Sequence, residues 1–219
     1  MDIVYTNRNF YPDEIRVLKT LKKQKEKERG GRVKLYHFFI AGLLGAGLTY
    51  ITAMLPDSIW TFIFGTLAVL SFAFIVFGSY EMYKSKKRCR AFLYQLNSII
   101  DKAEVSVCRI NAKRIAIAPE YEDESDLYII ELGENEVLHL WDAQYNLKKK
   151  FPCLDFDIYG EEFSMLTGRQ IYPLSGKVEP LQISSRAKWN FMKEHEIAEH
   201  LEIEKVSFDA LLEKYTSCA

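Results

Sequence analysis

The sequence predicts a membrane α-helical hairpin joined to an α+β soluble domain, the latter a small antiparallel sheet or barrel with flanking helices. Three observations predict it. Residues 35–55 and 58–80 are apolar runs without an Asp, Glu, Lys or Arg, separated only by Pro56 and Asp57. Basic residues crowd the outer flanks of both runs and are absent from the turn between them. From Glu104 onward the hydrophobic period shortens from that of a helix to two.

Each apolar run meets the roughly 20 residues that about 30 Å of hydrocarbon requires at about 1.5 Å per residue. Backbone groups in lipid must pair within their own segment, so the two runs are read as helices. Pro56 stops the first, and Asp57 with Ser58 supplies cap oxygens for the second. Arg16, Lys19, Lys22, Lys23, Lys25, Lys27, Arg29, Arg32 and Lys34 precede the hairpin, and Lys84, Lys86, Lys87, Arg88 and Arg90 follow it. A multi-pass protein of the bacterial inner membrane with both termini cytoplasmic is the expectation. Tyr36, Trp60, Tyr80 and Tyr83 stand near the run ends, as interfacial aromatics do.

Small residues collect in mid-hairpin. Ala41, Gly42, Gly45 and Ala46 in the first helix can meet Gly65 and Ala68 in the second, because small side chains let helix backbones approach closely. One such face serves packing within the hairpin; a second would serve a homo-oligomer. Neither run carries a charged residue on which an ion-coupled path could be built.

Outside the hairpin the chain divides by composition. Residues 1–34 are a basic cytoplasmic segment in which Ile15, Leu18 and Leu21 form a thin apolar seam on a charged helix that ends at Gly30-Gly31. Residues 81–103 read as an amphipathic connecting helix with Phe92, Leu93, Leu96, Ile99 and Ile100 on one face, and the domain that follows is the nearest partner for it. Residues 104–184 form the β-rich domain. Strands are predicted around Asn111-Ala112, in the pair LYIIEL and EVLHLWD about Gly133-Glu134-Asn135, and at 155–159, 170–174 and 178–183. Residues 185–219 read as a polar helical segment with a short extended stretch near Ile203, and Ser207 caps a last helix.

The formal net charge is −1, but residues 115–147 hold nine acids and no Lys or Arg. A basic face toward anionic lipid and an acidic side away from it fit this split, whereas a nucleic acid polymer would need a basic, aromatic groove. The four cysteines, Cys89, Cys108, Cys153 and Cys218, show no CxxC spacing and are expected as reduced thiols.

No nucleotide-loop, nucleophile-elbow or zinc-helix motif occurs, and no cofactor is expected. Three residue sets remain as candidates. His195 and His200 with their neighbouring glutamates are most simply exposed surface. Glu120, Glu122, Asp123, Glu124 and Asp126 form an acidic turn that lacks the positions of a calcium loop. Lys148, Lys149 and Lys150 lie near Trp141 and Tyr145, a pairing of cations with aromatic faces that suits a small anionic ligand such as a nucleotide. A non-enzymatic membrane-anchored sensor, scaffold or effector is therefore favoured, with a membrane-tethered metal-dependent enzyme using the acidic turn or the two histidines as the rival.

Two N-terminal spans followed by a cytoplasmic β-rich domain resemble the two-span membrane effectors of bacterial cyclic-nucleotide antiphage systems. The likeness covers the architecture from Leu35 to about Ile183. It implies a β domain that senses a nucleotide and spans that oligomerise in the inner membrane, and it assigns no binding residue. EYEDESDLYIIEL and KKKFPCLDFDIYG also resemble segments of bacterial proteins without an assigned role.

Overall fold

The computed structural model describes residues 4–28, 34–56, 58–143 and 147–217. Two compact units are present, Pro12–Lys102 on the one hand and Met1–Tyr11 with Ala103–Ala219 on the other. Asp57, the Gly30-Gly31 break, Tyr145 and Cys218 lie outside the described residues.

The helical unit consists of α1 (Pro12–Glu28), α2 (Leu35–Met54) and α3 (Ile59–Lys102). At the turn, the Thr61 hydroxyl donates to the Pro56 carbonyl at 2.8 Å and the Thr61 N–H to the Ser58 carbonyl at 3.1 Å. Within the most apolar window of each of α2 and α3 only 6% is buried, and Phe39, Leu43, Phe62, Val69 and Phe77 are exposed. Both helices are long and apolar enough to cross a membrane. A soluble core helix would bury such side chains; here they face outward.

No break separates the second apolar run from the amphipathic segment after it. α3 is one helix of 44 residues. Leu93, Leu96 and Ile99 on its polar half are buried, and α1 lies alongside that half. The Cys89 thiol donates to the Lys25 carbonyl at 3.4 Å, and Lys25 Nζ stands 5.7 Å from the centre of the Phe92 ring. α1 thus lies beside the polar half of α3, and Leu18 of its thin apolar seam is buried while Ile15 stays exposed.

The β unit holds two sheets. β1 (Thr6–Asn9), β2 (Glu104–Asn111), β6 (Asp155–Tyr159) and β7 (Ile171–Pro173) form an antiparallel sheet in that order. β3 (Arg114–Ala118), β4 (Leu127–Gly133), β5 (Glu136–Trp141), β8 (Leu181–Gln182) and β9 (Ile203–Glu204) form the second, ordered β8-β3-β4-β5-β9, with β8 parallel to β3. Alternation on both sides of Asn111-Ala112 suggests one hairpin, but β2 and β3 belong to different sheets. The backbone shows the divergence directly: the Ala112 N–H donates to Leu154 beside the first sheet, and the Lys113 N–H donates to Glu131 in the second, each at 2.8 Å.

Strand parity explains the layering. Ile115 and Ile117 of β3, Tyr128 and Ile130 of β4, and Leu138 and Leu140 of β5 face a core shared with Cys108, Ile110, Phe156 and Ile158 of the first sheet. Their alternates Ala116, Ala118, Leu127, Ile129 and Val137 face Ile183 and, through Ala187, Phe191, Phe208, Leu211 and Tyr215, α5 (Ser185–Glu194) and α6 (Phe208–Ser217). The second sheet is buried on both faces, which is why its strands read as nearly continuous apolar runs. Ala116 and Ala118 have no side chain beyond Cβ, leaving room on the helix side. α4 (Glu161–Thr167) ends at Gly168, whose φ of 67° is the left-handed conformation glycine adopts without a Cβ penalty.

β1 is absent from the sequence expectation. TNRN is polar and shows no alternation, yet Thr6 to Asn9 pair with Val107 to Glu104 along the edge of β2. Two joints of the chain between the units are short: Phe10-Tyr11 follows β1, and Ala103 alone separates α3 from β2.

Candidate functional site

Of the lysine–aromatic set, Lys148 is drawn into an ion pair with Asp126, and Trp141 lies near Lys188. Trp141 closes β5; its indole N–H donates to the Ala198 carbonyl at 3.1 Å, and Lys188 Nζ lies 5.7 Å from its ring centre. Lys148 Nζ is 2.8 Å from Asp126 Oδ2. Asp126 raises the pKa of this lysine, whose charge is thereby partly met within the protein. Lys149 and Lys150 are exposed at the end of a short 3-10 turn, and Tyr145 is outside the described residues.

The acidic residues behave unequally. Asp126 is fully buried, and its Oδ1 accepts from the Glu120 N–H at 2.9 Å. Glu124 accepts from the N–H groups of Tyr121 and Glu122 at 3.2 Å each, so the turn is folded around its own carboxylates. Lys188, with no exposed surface, donates to the Ser125 carbonyl at 2.9 Å and lies 3.4 Å from Glu124 Oε1. Burial lowers the Lys188 pKa against the pull of Glu124. Burial by itself would raise the Glu124 carboxyl; backbone N–H donors of its loop and Lys188 overcome this and hold it below the usual range. Tyr121 stacks on Trp189 of α5 at 5.8 Å, completing a turn that is docked rather than free. The sequence groups the acidic residues as one turn and does not single out Lys188, because a lysine on an amphipathic helix carries no sign of the carboxylates that the β3–β4 loop brings to it.

α5 stops at Glu194, so the stretch from His195 to His200 is not helical surface as the sequence suggested. His195, in extended conformation, stacks on Phe191 with ring centres 4.5 Å apart. His200 Nδ1 accepts the Trp141 backbone N–H at 3.1 Å and so covers the end of β5. Among the described residues no three His, Cys, Asp or Glu side chains are gathered as metal ligands. Cys89, Cys108 and Cys153 are free thiols, the last two buried.

This extended return creates a hollow of about 250 Å³ lined by His139, Phe191, Glu196, Ile197, Ala198, Glu202, Glu204, Leu211 and Tyr215. His139 is the residue that sequence reasoning missed. In EVLHLW it shares the face of Val137, and a lone histidine there, among positions otherwise filled by apolar side chains, was the available signal. It is 1% exposed; Nε2 lies 3.7 Å from Glu204 Oε2, and Nδ1 has no hydrogen-bond partner among the described residues. Burial holds its pKa below the ordinary histidine value, with Glu204 and Glu202 pulling the other way.

In the hairpin the small residues differ in what they meet. A Cβ on Gly45 would stand 3.0 to 3.2 Å from the Phe72 ring, and one on Gly42 or Gly65 would meet Ile75 or Thr52 at 3.7 Å. Gly45 and Ala68 are buried, whereas Ala46 and Gly47 are exposed and Ala41 is half-buried. Packing of α2 on α3 thus uses Gly42, Gly45, Gly65 and Ala68.

No known protein family, curated protein or solved structure matches the chain. The likeness to two-span effectors therefore rests on the pair of apolar, membrane-length helices alone.

Proposed function

We propose that this chain is a non-enzymatic sensor or effector anchored in the bacterial inner membrane, with its β unit on the cytoplasmic side. One observation carries the reading. β1, which precedes the hairpin, is hydrogen-bonded to β2, which follows it, so both must lie on one side of any membrane that α2 and α3 cross. Two crossings satisfy that requirement, and the basic flanks select the cytoplasm as the side. Support for contact with anionic lipid comes from α1, whose Lys22–Lys27 segment lies beside the basic start of the polar half of α3. Ala46 and Gly47, left open on α2, are the surface on which self-association would draw.

Signal transfer in this proposal runs through α3, which continues from the apolar span to within one residue of β2. A conformational event in the β unit has a continuous helix and a one-residue joint through which to act on the hairpin. Reporter fusions test the topology: a periplasm-active reporter inserted at Pro56 and a cytoplasm-active one after Ala219 should both be active. The inverse pattern rejects the orientation. A glycine-serine insertion after Lys87 should leave the β unit folded and abolish any change in membrane assembly; an unchanged assembly response rejects the coupling.

A further inference from the structure

We propose that the hollow between β5, β9 and the two C-terminal helices binds a small organic cation, an ammonium carried on a short apolar group. Its lining contains Glu196, Glu202 and Glu204 and no Lys or Arg, so the local field attracts a cation and repels carboxylates and phosphates. Phe191 and Tyr215 supply an apolar, aromatic wall for the remainder of the molecule. The volume of about 250 Å³ lies just under the roughly 300–1,000 Å³ of pockets for drug-sized ligands, which suits a small amine.

His139 is the independent pointer to a ligand. A buried polar atom without a partner is rare in folded proteins and costs free energy until something satisfies it. With the ring proton on Nε2 toward Glu204, Nδ1 is an acceptor within the wall of a cavity otherwise supplied with carboxylate acceptors. An ammonium has three donors to offer such a set, while an ionised carboxylate has none. The site lies in the β unit and is distinct from the Lys148 and Lys188 ion pairs.

The test uses the full chain in lipid nanodiscs and titrates phenethylamine, protonated at neutral pH, by calorimetry, with phenylacetate as the anion of matching shape. Phenethylamine should bind saturably at one site per chain and shift the His139 imidazole resonances; phenylacetate should do neither. Glu204→Gln should weaken amine binding by about tenfold, as loss of one charge-assisted contact does. Glu196→Gln and Glu202→Gln, at exposed positions, should each weaken it by roughly two- to fivefold. His139→Phe should abolish the resonance shift and weaken binding; if that variant fails to fold, the glutamine variants and the wild-type imidazole shift decide. No saturable amine binding, an equal response to phenylacetate, or binding indifferent to Glu204→Gln overturns the proposal. None of these outcomes bears on the topology reporters, so the two readings fail separately.

Discussion

Arg8 Nε lies 2.8 Å from Asp157 Oδ2, joining a residue that precedes the hairpin to one that follows it, 149 positions apart in sequence. The Asp157 side chain is 2% exposed, and the Arg8 guanidinium also lies 4.0 Å from the Tyr11 ring centre, which in turn stacks on Tyr172 at 4.8 Å. This ion pair, together with the β1–β2 ladder, ties the N-terminal segment into the first sheet. Arg8→Ala leaves a buried carboxylate without this guanidinium and should lower the stability of the β unit by about 2–3 kcal/mol. Thermal melts of the full chain check it. Asp157→Asn should cost less, since no buried charge is left behind.

Acid should release the β3–β4 turn. The folded pKa of Glu124 lies below its ordinary value of 4.5. Its contribution to stability is therefore fully present above about pH 4.5 and is lost as pH falls through the folded value. Glu124→Gln should flatten that acid limb in a denaturation series at stepped pH. Lys188→Met should destabilise by roughly 2–3 kcal/mol at neutral pH, and the double variant by less than the sum.

His139 should act at milder pH and with the same sign for a different reason. Its folded pKa is lowered from 6.5, so between the folded value and 6.5 the unfolded chain binds more protons. Stability rises with pH across that window and falls on acidification. The carboxylates of Glu202 and Glu204 oppose the effect and narrow the window. Melting temperatures from about pH 7.5 down to about pH 5 should decline in wild type and decline less in His139→Leu.

The two faces of α2 should separate by mutation. Gly45→Leu drives a side chain into Phe72 and should disrupt the α2–α3 hairpin, seen as loss of a disulfide engineered across it. Gly47, with nothing within 4 Å of an added Cβ, should accept leucine without harm to the hairpin. Sedimentation in detergent then checks self-association: a smaller oligomer in Gly47→Leu supports the outward face as its interface, and an unchanged monomer in both wild type and variant rejects it.

Ala103 takes the place that glycine usually fills at a helix end. Its φ is 55°, in the left-handed region that costs a residue with a Cβ about 1–2 kcal/mol. Ala103→Gly should preserve the melting temperature or raise it slightly, because relief of strain and added freedom of the unfolded chain oppose each other. Ala103→Val should lower it, since branching at Cβ aggravates the same contact.

Much of this molecule was legible because its signals are local. Two charge-free runs and a two-residue separation determined the helical hairpin, and alternation in LYIIEL and EVLHLW determined a strand pair closed by Glu134-Asn135. Tertiary structure decided what locality cannot carry. TNRN became a strand only because β2 offered an open edge and Asp157 an acceptor for Arg8. Adjacent strands β2 and β3 entered different sheets because partners far along the chain, Leu154 and Glu131, claimed the neighbouring N–H groups of Ala112 and Lys113. Lys148 and Lys188 acquired carboxylate partners from a loop distant in sequence, and His139 acquired its hollow from a segment some 60 residues later. A periodic pattern reports which face of an element is apolar; which other element covers that face, and which charge it brings, depends on chain closure over distances that no window of sequence spans.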